Sequence, residues 1–255
     1  YWIGQEHVYS GEYDKARKSF LIYADVTRRL LRAEPENPDW VLEMTYALSN
    51  LADLEGSVGQ SDPDLALRFL QAALEFNQIA LVLDPGNQDY RAELEQSHAF
   101  LADAQYKVCD LGGALQSRME NTRLAREFFN AEPENAGKLQ SLAFALGGLA
   151  WVQQAVGLNE LAIQSLEESI ALIEKMEPME SGNARHWQLW LERRGRLAGA
   201  MNAMGRLEES QRLASEVQID WELFLERQPD QRVRWKASFA RFLLIRESIT
   251  HASGD

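Results

Sequence analysis

The stretch Phe100-Leu101-Ala102-Asp103-Ala104 contains a two-residue word, Leu101-Ala102, that is written through the chain at a fixed interval. The same pairing of a branched apolar residue with a small one stands at Ile3-Gly4, Leu51-Ala52, Leu149-Ala150 and Leu197-Ala198, in steps of 48, 50, 48 and 48 residues. One further step of 48 lands on Ile245-Arg246, where the small residue is lost. Self-similarity at a constant period means one supersecondary unit stacked on copies of itself, with no single closed core.

Two more markers run in step with the first. Proline turns occur at Ala33-Glu34-Pro35-Glu36-Asn37, Leu83-Asp84-Pro85-Gly86-Asn87, Ala131-Glu132-Pro133-Glu134-Asn135, Met176-Glu177-Pro178 and Arg227-Gln228-Pro229-Asp230-Gln231. Proline lacks an N–H and pushes the preceding residue out of helical geometry, so each marks a helix end. Between these turns come Gly11 with Ala16, Gly157 with Ala162 and Gly205 with Ser210: the glycine closes one helix, and the small residue five later lets the next pack closely.

Each period therefore reads as two antiparallel helices. First helices are predicted over 39–58, 88–108, 136–156, 184–204 and 232–250, and second helices over 13–33, 63–83, 111–131, 159–176 and 206–227. With a truncated opening helix before Gly11, that makes eleven. Pro63 suits a helix start, with Asp62 as its cap. The fold class predicted is all-α, a right-handed solenoid of antiparallel helix pairs. It is read as one array over 1–255: a truncated repeat 1–35, full repeats 36–85, 86–133, 134–178 and 179–229, and a capping helix 230–255.

Composition agrees and narrows the function. Leucine and alanine outnumber β-branched residues, and only 7 prolines occur in 255 residues, most of them at the turns. A net charge of −13 argues against nucleic-acid binding, which needs a basic face. The single cysteine, Cys109, excludes an intrachain disulfide and fits a reducing compartment, which favours the cytoplasm slightly over the periplasm. The longest apolar run, Leu142 to Val152, is too short to span a bilayer, so no membrane insertion is expected.

These residues resemble the tetratricopeptide repeat family. Gly11-Glu12-Tyr13-Asp14-Lys15-Ala16 followed by Phe20 is similar to the family's signature at the junction of its two helices; the apolar-small pairs are similar to its first helix, and the Glu/Asp-Pro turns to its closing proline. The resemblance covers essentially the whole chain. The usual repeat is 34 residues, and these are about 14 longer. About seven extra residues per helix, close to two turns, leave the buried face in phase and give helices about 30 Å long. Long repeats with an aromatic after the proline turn resemble those of large bacterial signalling proteins. The resemblance implies a non-enzymatic protein- or peptide-binding scaffold within a larger regulatory protein. A regulatory domain sensing a small ligand in one deep pocket is the alternative. Because Tyr1 falls inside a first helix, the chain is read as a piece of a longer protein, with self-association through the truncated end repeats a further possibility.

No P-loop, His-Glu-x-x-His or Cys-x-x-Cys occurs. Glu95 and His98 share one helix face, but no second Glu-x-x-His exists to complete a di-iron set, so no metal or cofactor is expected. Cys109 has no histidine at catalytic spacing and is expected to be an ordinary thiol. In the resembled family the first helices line a concave groove. Projection from each Leu-Ala pair puts Tyr46, Ser49 and Asp53, then Gln96, Ala99, Asp103 and Tyr106, then Phe144, Gly147, Trp151 and Gln154, then Glu192, Gly195, Gly199 and Asn202 on that face. Gly147 between two aromatics would leave the floor of an apolar pocket. Arg193, Arg194 and Arg196 form the densest basic cluster, able to anchor a carboxylate or to pair with Glu192 or with Glu208 and Glu209. The peptide site is accordingly expected at Tyr106, Phe144, Trp151, Arg194 and Arg196 with Asp103, with basic segments preferring the Asp53–Asp103 end.

Overall fold

In a computed structural model, which describes residues 1–57, 62–176, 184–227 and 232–253, the described residues form eleven α-helices and no strand. In order they are α1 (Trp2–Tyr9), α2 (Tyr13–Ala33), α3 (Pro38–Ser57), α4 (Pro63–Leu83), α5 (Gln88–Lys107), α6 (Leu111–Ala131), α7 (Ala136–Ala155), α8 (Asn159–Met176), α9 (Ala184–Ala203), α10 (Leu207–Arg227) and α11 (Arg232–Ser253). Apart from the end of α11, these agree with the periods read from the sequence to within a residue. The largest difference among helix ends is at α11, which runs three residues further than predicted. The turns at Met176–Pro178 and Arg227–Gln231 lie largely outside the described residues. The chain divides into two compact units, Tyr1–Leu124 and Ala125–Asp255.

The Glu/Asp-Pro-x-Asn turns work as clips. In each, the asparagine amide donates back to the acid before the proline: Asn37 to Glu34 at 2.7 Å, Asn87 to Asp84 at 3.2 Å, Asn135 to Glu132 at 3.0 Å. The same asparagine's Oδ1 then caps the following helix, accepting from the N–H of Asp39, Asp89 and Gly137, each at 3.0 Å. One side chain thus ties down the acid behind it and satisfies an orphan donor ahead. Trp40 adds an indole N–H to Glu34 at 3.0 Å, and these two bonds hold the Glu34 carboxyl below its usual range. Helix α3 starts one residue earlier than predicted because Pro38, directly after the Asn37 cap, sits where its missing N–H is not needed.

The second junction is also repeated. At Gly11, Gly157 and Gly205 the backbone is left-handed, with φ of 71°, 80° and 75°. Each is followed by a six-to-one bond: Glu12 N–H to His7 O, Leu158 to Gln153 and Arg206 to Met201, at 2.8 to 3.0 Å. Cys109 takes the same place, 48 residues before Gly157, with φ of 62° and Asp110 N–H bonded to Gln105 O at 2.9 Å. The small residues that follow, Ala16, Ala114, Ala162 and Ser210, are fully buried, as are Ala102, Ala150 and Ala198 of the Leu-Ala pairs. Ser210 Oγ donates to Ala198 O at 2.7 Å, which shows how closely the helices cross there. Leu51, Leu101, Leu149 and Leu197 are buried too, whereas Ile3 in α1 is 70% exposed.

In the first unit, α2, α3, α4 and α5 pack in sequence, each against the next. Helix α4 would match a membrane span by length and composition, yet it lies between α3 and α5 with Asn77 fully buried and donating to Ser97 Oγ at 3.2 Å. In the second unit Leu139, Leu142 and Leu146 of α7 centre one core with Ile173 and Met176 of α8. Trp221 and Phe224 of α10 centre another with Trp235 and Phe242 of α11.

Candidate peptide-binding groove

The residues singled out by helical projection divide between the two units. In the second, Phe144 and Trp151 are half-buried, and each ring has an arginine over it: Arg185 Cζ is 5.6 Å from the Phe144 centroid, and Arg196 Cζ is 5.5 Å from that of Trp151. Gly147 is not a pocket floor. The buried Arg193 guanidinium lies over its bare backbone, so close that a Cβ there would stand 2.1 Å from Arg193 Cζ. A gap in one repeat is filled by a long side chain from the next.

Arg194 turns to α10. It binds Asp220 at 2.5 Å and Glu216 at 2.8 Å, two carboxylates one turn apart, and its guanidinium covers the Trp190 ring at 4.3 Å. Arg194 thus pairs with acids, as the second of the two readings expected, but with Glu216 and Asp220 of α10; Glu192 accepts from Gln188 at 2.8 Å and Glu209 from Arg206 at 2.6 Å. Spacing along one helix cannot show which side chain of the facing helix arrives opposite it.

In the first unit, Tyr106 is half-buried and Asp103 forms an ion pair with the buried Arg118. Here the structure opens a groove of about 690 Å³ between α3 and α5, with Tyr1 and Trp2 at one end. Its α3 wall is Glu43, Tyr46, Ser49 and Asp53, and its α5 wall is Glu93, Gln96 and Phe100. A second hollow of about 280 Å³ shares Ser49, Asp53 and Phe100 with it and extends to Asp103 and Lys107. Three- and four-residue steps along both helices produce two facing stripes.

The chemistry of the larger groove is aromatic and acidic. Tyr23 Oη donates to Glu43, and Tyr46 Oη donates to Glu93 Oε1 at 2.9 Å. Burial, then the adjacent carboxylates, pushes both phenols well above their usual range, so they stay protonated donors. Burial also raises the Glu93 carboxyl, with Asp89 adding to the rise and the Tyr46 bond opposing it. Among the described residues, no lysine, arginine or histidine side chain lines this groove. Projection finds Tyr46, Ser49, Asp53 and Gln96; it misses Phe100, Tyr23, which comes from a second helix, and Glu43 and Glu93, each one turn before a projected residue.

Among the described residues no three His, Cys, Asp or Glu side chains are placed to hold a metal ion. Glu95 instead takes up the Asn121 amide, and burial lowers the pKa of half-buried His98.

No protein-family model matches the sequence, and no curated protein matches it. Solved structures do. The chain is similar to the TPR-like repeats of a putative kinesin light chain from Podosopora anserina, at 17% identity and a TM-score of 0.58, over 90% of this chain and 93% of that one. It is similar to BtubC (BKLC) from P. vanneervenii, at 15% identity and a TM-score of 0.57, over 93% of this chain and 92% of that one. Repeated helix pairs, glycine-type junctions, proline clips and these likenesses together identify the fold of the chain as that of the tetratricopeptide-repeat proteins.

Proposed function

We propose that the chain is a non-enzymatic interaction module that holds an extended segment of a partner protein along the α3–α5 groove. The observation that carries this reading is the pair of joined hollows, about 690 and 280 Å³, lined by side chains at helical spacing from both first helices of the unit. A small-molecule sensor would need an enclosed pocket, and neither hollow is enclosed. The length of the repeats supports a place within a larger regulatory protein.

Panning a random peptide library against the whole chain and titrating the selected peptides tests the proposal. Phe100→Ala with Tyr46→Ala should weaken binding at least about tenfold, as removal of central aromatic anchors does, while circular dichroism stays unchanged. Selected peptides that bind the double variant as tightly as the wild type would place the site elsewhere.

A further inference from the structure

Resting on that reading, we infer that the segment held in the groove is cationic, an extended peptide that inserts an arginine side chain between Tyr23 and Tyr46 to meet Glu43 and Glu93. Both carboxylates are half-buried, and neither has a cationic partner among the described residues. Each spends one oxygen on a phenol: Glu43 Oε2 on Tyr23 and Glu93 Oε1 on Tyr46. Both carboxylates line the groove, where no lysine, arginine or histidine stands among the described residues. A guanidinium suits this site because it has five donors in a planar fork, two of which can meet one carboxylate while the plane stacks on a phenol ring.

The rest of the molecule shows the same chemistry satisfied from within. In the second unit the half-buried aromatics Phe144, Trp190 and Trp151 each have an arginine over the ring, and Arg194 joins its ring to two carboxylates at once. In the larger groove of the first unit Tyr23 and Tyr46 stand beside Glu43 and Glu93, and no arginine is among the described residues that line it. An acidic or phosphorylated segment would meet like charge at Glu43 and Glu93 in the larger groove and is disfavoured there.

The probe is an acetylated, amidated peptide of four Gly-Ser-Arg triplets, compared with the same peptide carrying citrulline, the neutral isostere, in place of arginine. Both are titrated calorimetrically at physiological ionic strength into the full chain, into a Glu43→Gln/Glu93→Gln variant and into a Glu208→Gln/Glu222→Gln variant that removes the same charge from exposed positions. Glutamine still accepts from the phenols, so the groove should keep its shape, and a thermal melt checks this. The arginine peptide should bind about tenfold more tightly than the citrulline peptide. The groove variant should abolish that preference and the exposed-site variant should retain it. Equal binding of the two peptides by the wild type, no binding of the arginine peptide at about 1 mM, or equal losses in the two variants would overturn the inference. Equal binding of both peptides that is lost in Phe100→Ala/Tyr46→Ala would sink the cationic preference alone and leave the groove as the peptide site.

Discussion

Arg193 Cζ and the backbone of Gly147 approach so closely that a single added carbon on the glycine would overlap the guanidinium, at 2.1 Å. Alanine normally improves a helix interior over glycine by about 1 kcal/mol. Here that gain competes with displacing a side chain that is only 8% exposed. Gly147→Ala should therefore destabilise by about 1–2 kcal/mol, and in an Arg193→Ala background it should stabilise by about 1 kcal/mol. Thermal melts of the four proteins in this cycle check the change of sign.

Cys109 offers a gain in the opposite direction. Its φ of 62° is the conformation that glycine supplies at Gly11, Gly157 and Gly205. A left-handed backbone costs a residue with a Cβ about 1–2 kcal/mol, and part of that is returned when glycine adds entropy to the unfolded chain. Cys109→Gly should stabilise by about 0.5–1 kcal/mol, read as an upward shift in melting temperature of roughly 1–4 °C. An unchanged or lower melting point would show that the exposed thiol makes up for its backbone.

The small residues at the helix crossings set a third expectation. Ala102 and Ala150 are fully buried, and the latter packs with Ala162 of the next helix. Ala102→Leu or Ala150→Leu should destabilise by about 1–3 kcal/mol through overpacking, measured by chemical denaturation.

What the sequence could and could not reveal follows from the range of each interaction. Helix ends depend on neighbours within four residues, so Pro35, Asn37 and Gly157 announced them, and α2, α4, α6 and α8 have the bounds that spacing predicted. The buried pairs were legible because they repeat. Cys109 broke the pattern of the glycines it stands in for, and a register of 48 residues from Gly157 was the signal that could have found it. Side-chain destinations were less legible. Arg193, Arg194 and Arg196 read as one basic cluster, yet successive helix positions point about 100° apart, and they lead to Gly147, to Glu216 and Asp220, and to Trp151. The Tyr23–Glu43 and Tyr46–Glu93 bonds span 20 and 47 residues and have no local trace.

Arg194 separates a structural role from a binding one. Its side chain is 14% exposed and joins Glu216, Asp220 and Trp190. Arg194→Ala should cost about 1–3 kcal/mol of stability by leaving two carboxylates uncompensated, with binding of the arginine peptide unchanged. Trp151→Ala, which uncovers Arg196, should likewise leave that affinity within about twofold. A loss of tenfold or more for Trp151→Ala would move the peptide site to the second unit.

Acid should release the peptide before it unfolds the protein. The Glu93 carboxyl is raised by burial and by Asp89 on the same helix, against the Tyr46 bond from α3, whose phenol also feels Glu43. A carboxyl whose folded value lies above its unfolded one contributes stability when protonated and loses that contribution as pH rises through the folded value. Lowering the pH from 7 toward the ordinary glutamate value of about 4.3 therefore removes the Glu93 charge from the groove while protonation of Glu93 favours the folded state. Affinity for the arginine peptide should fall severalfold across that interval with no parallel fall in melting temperature. In Glu93→Gln the affinity should start lower and show a much smaller change with pH. Titration calorimetry at four pH values, with melts under the same buffers, decides it: a pH step of equal size in the variant would assign the release to another group.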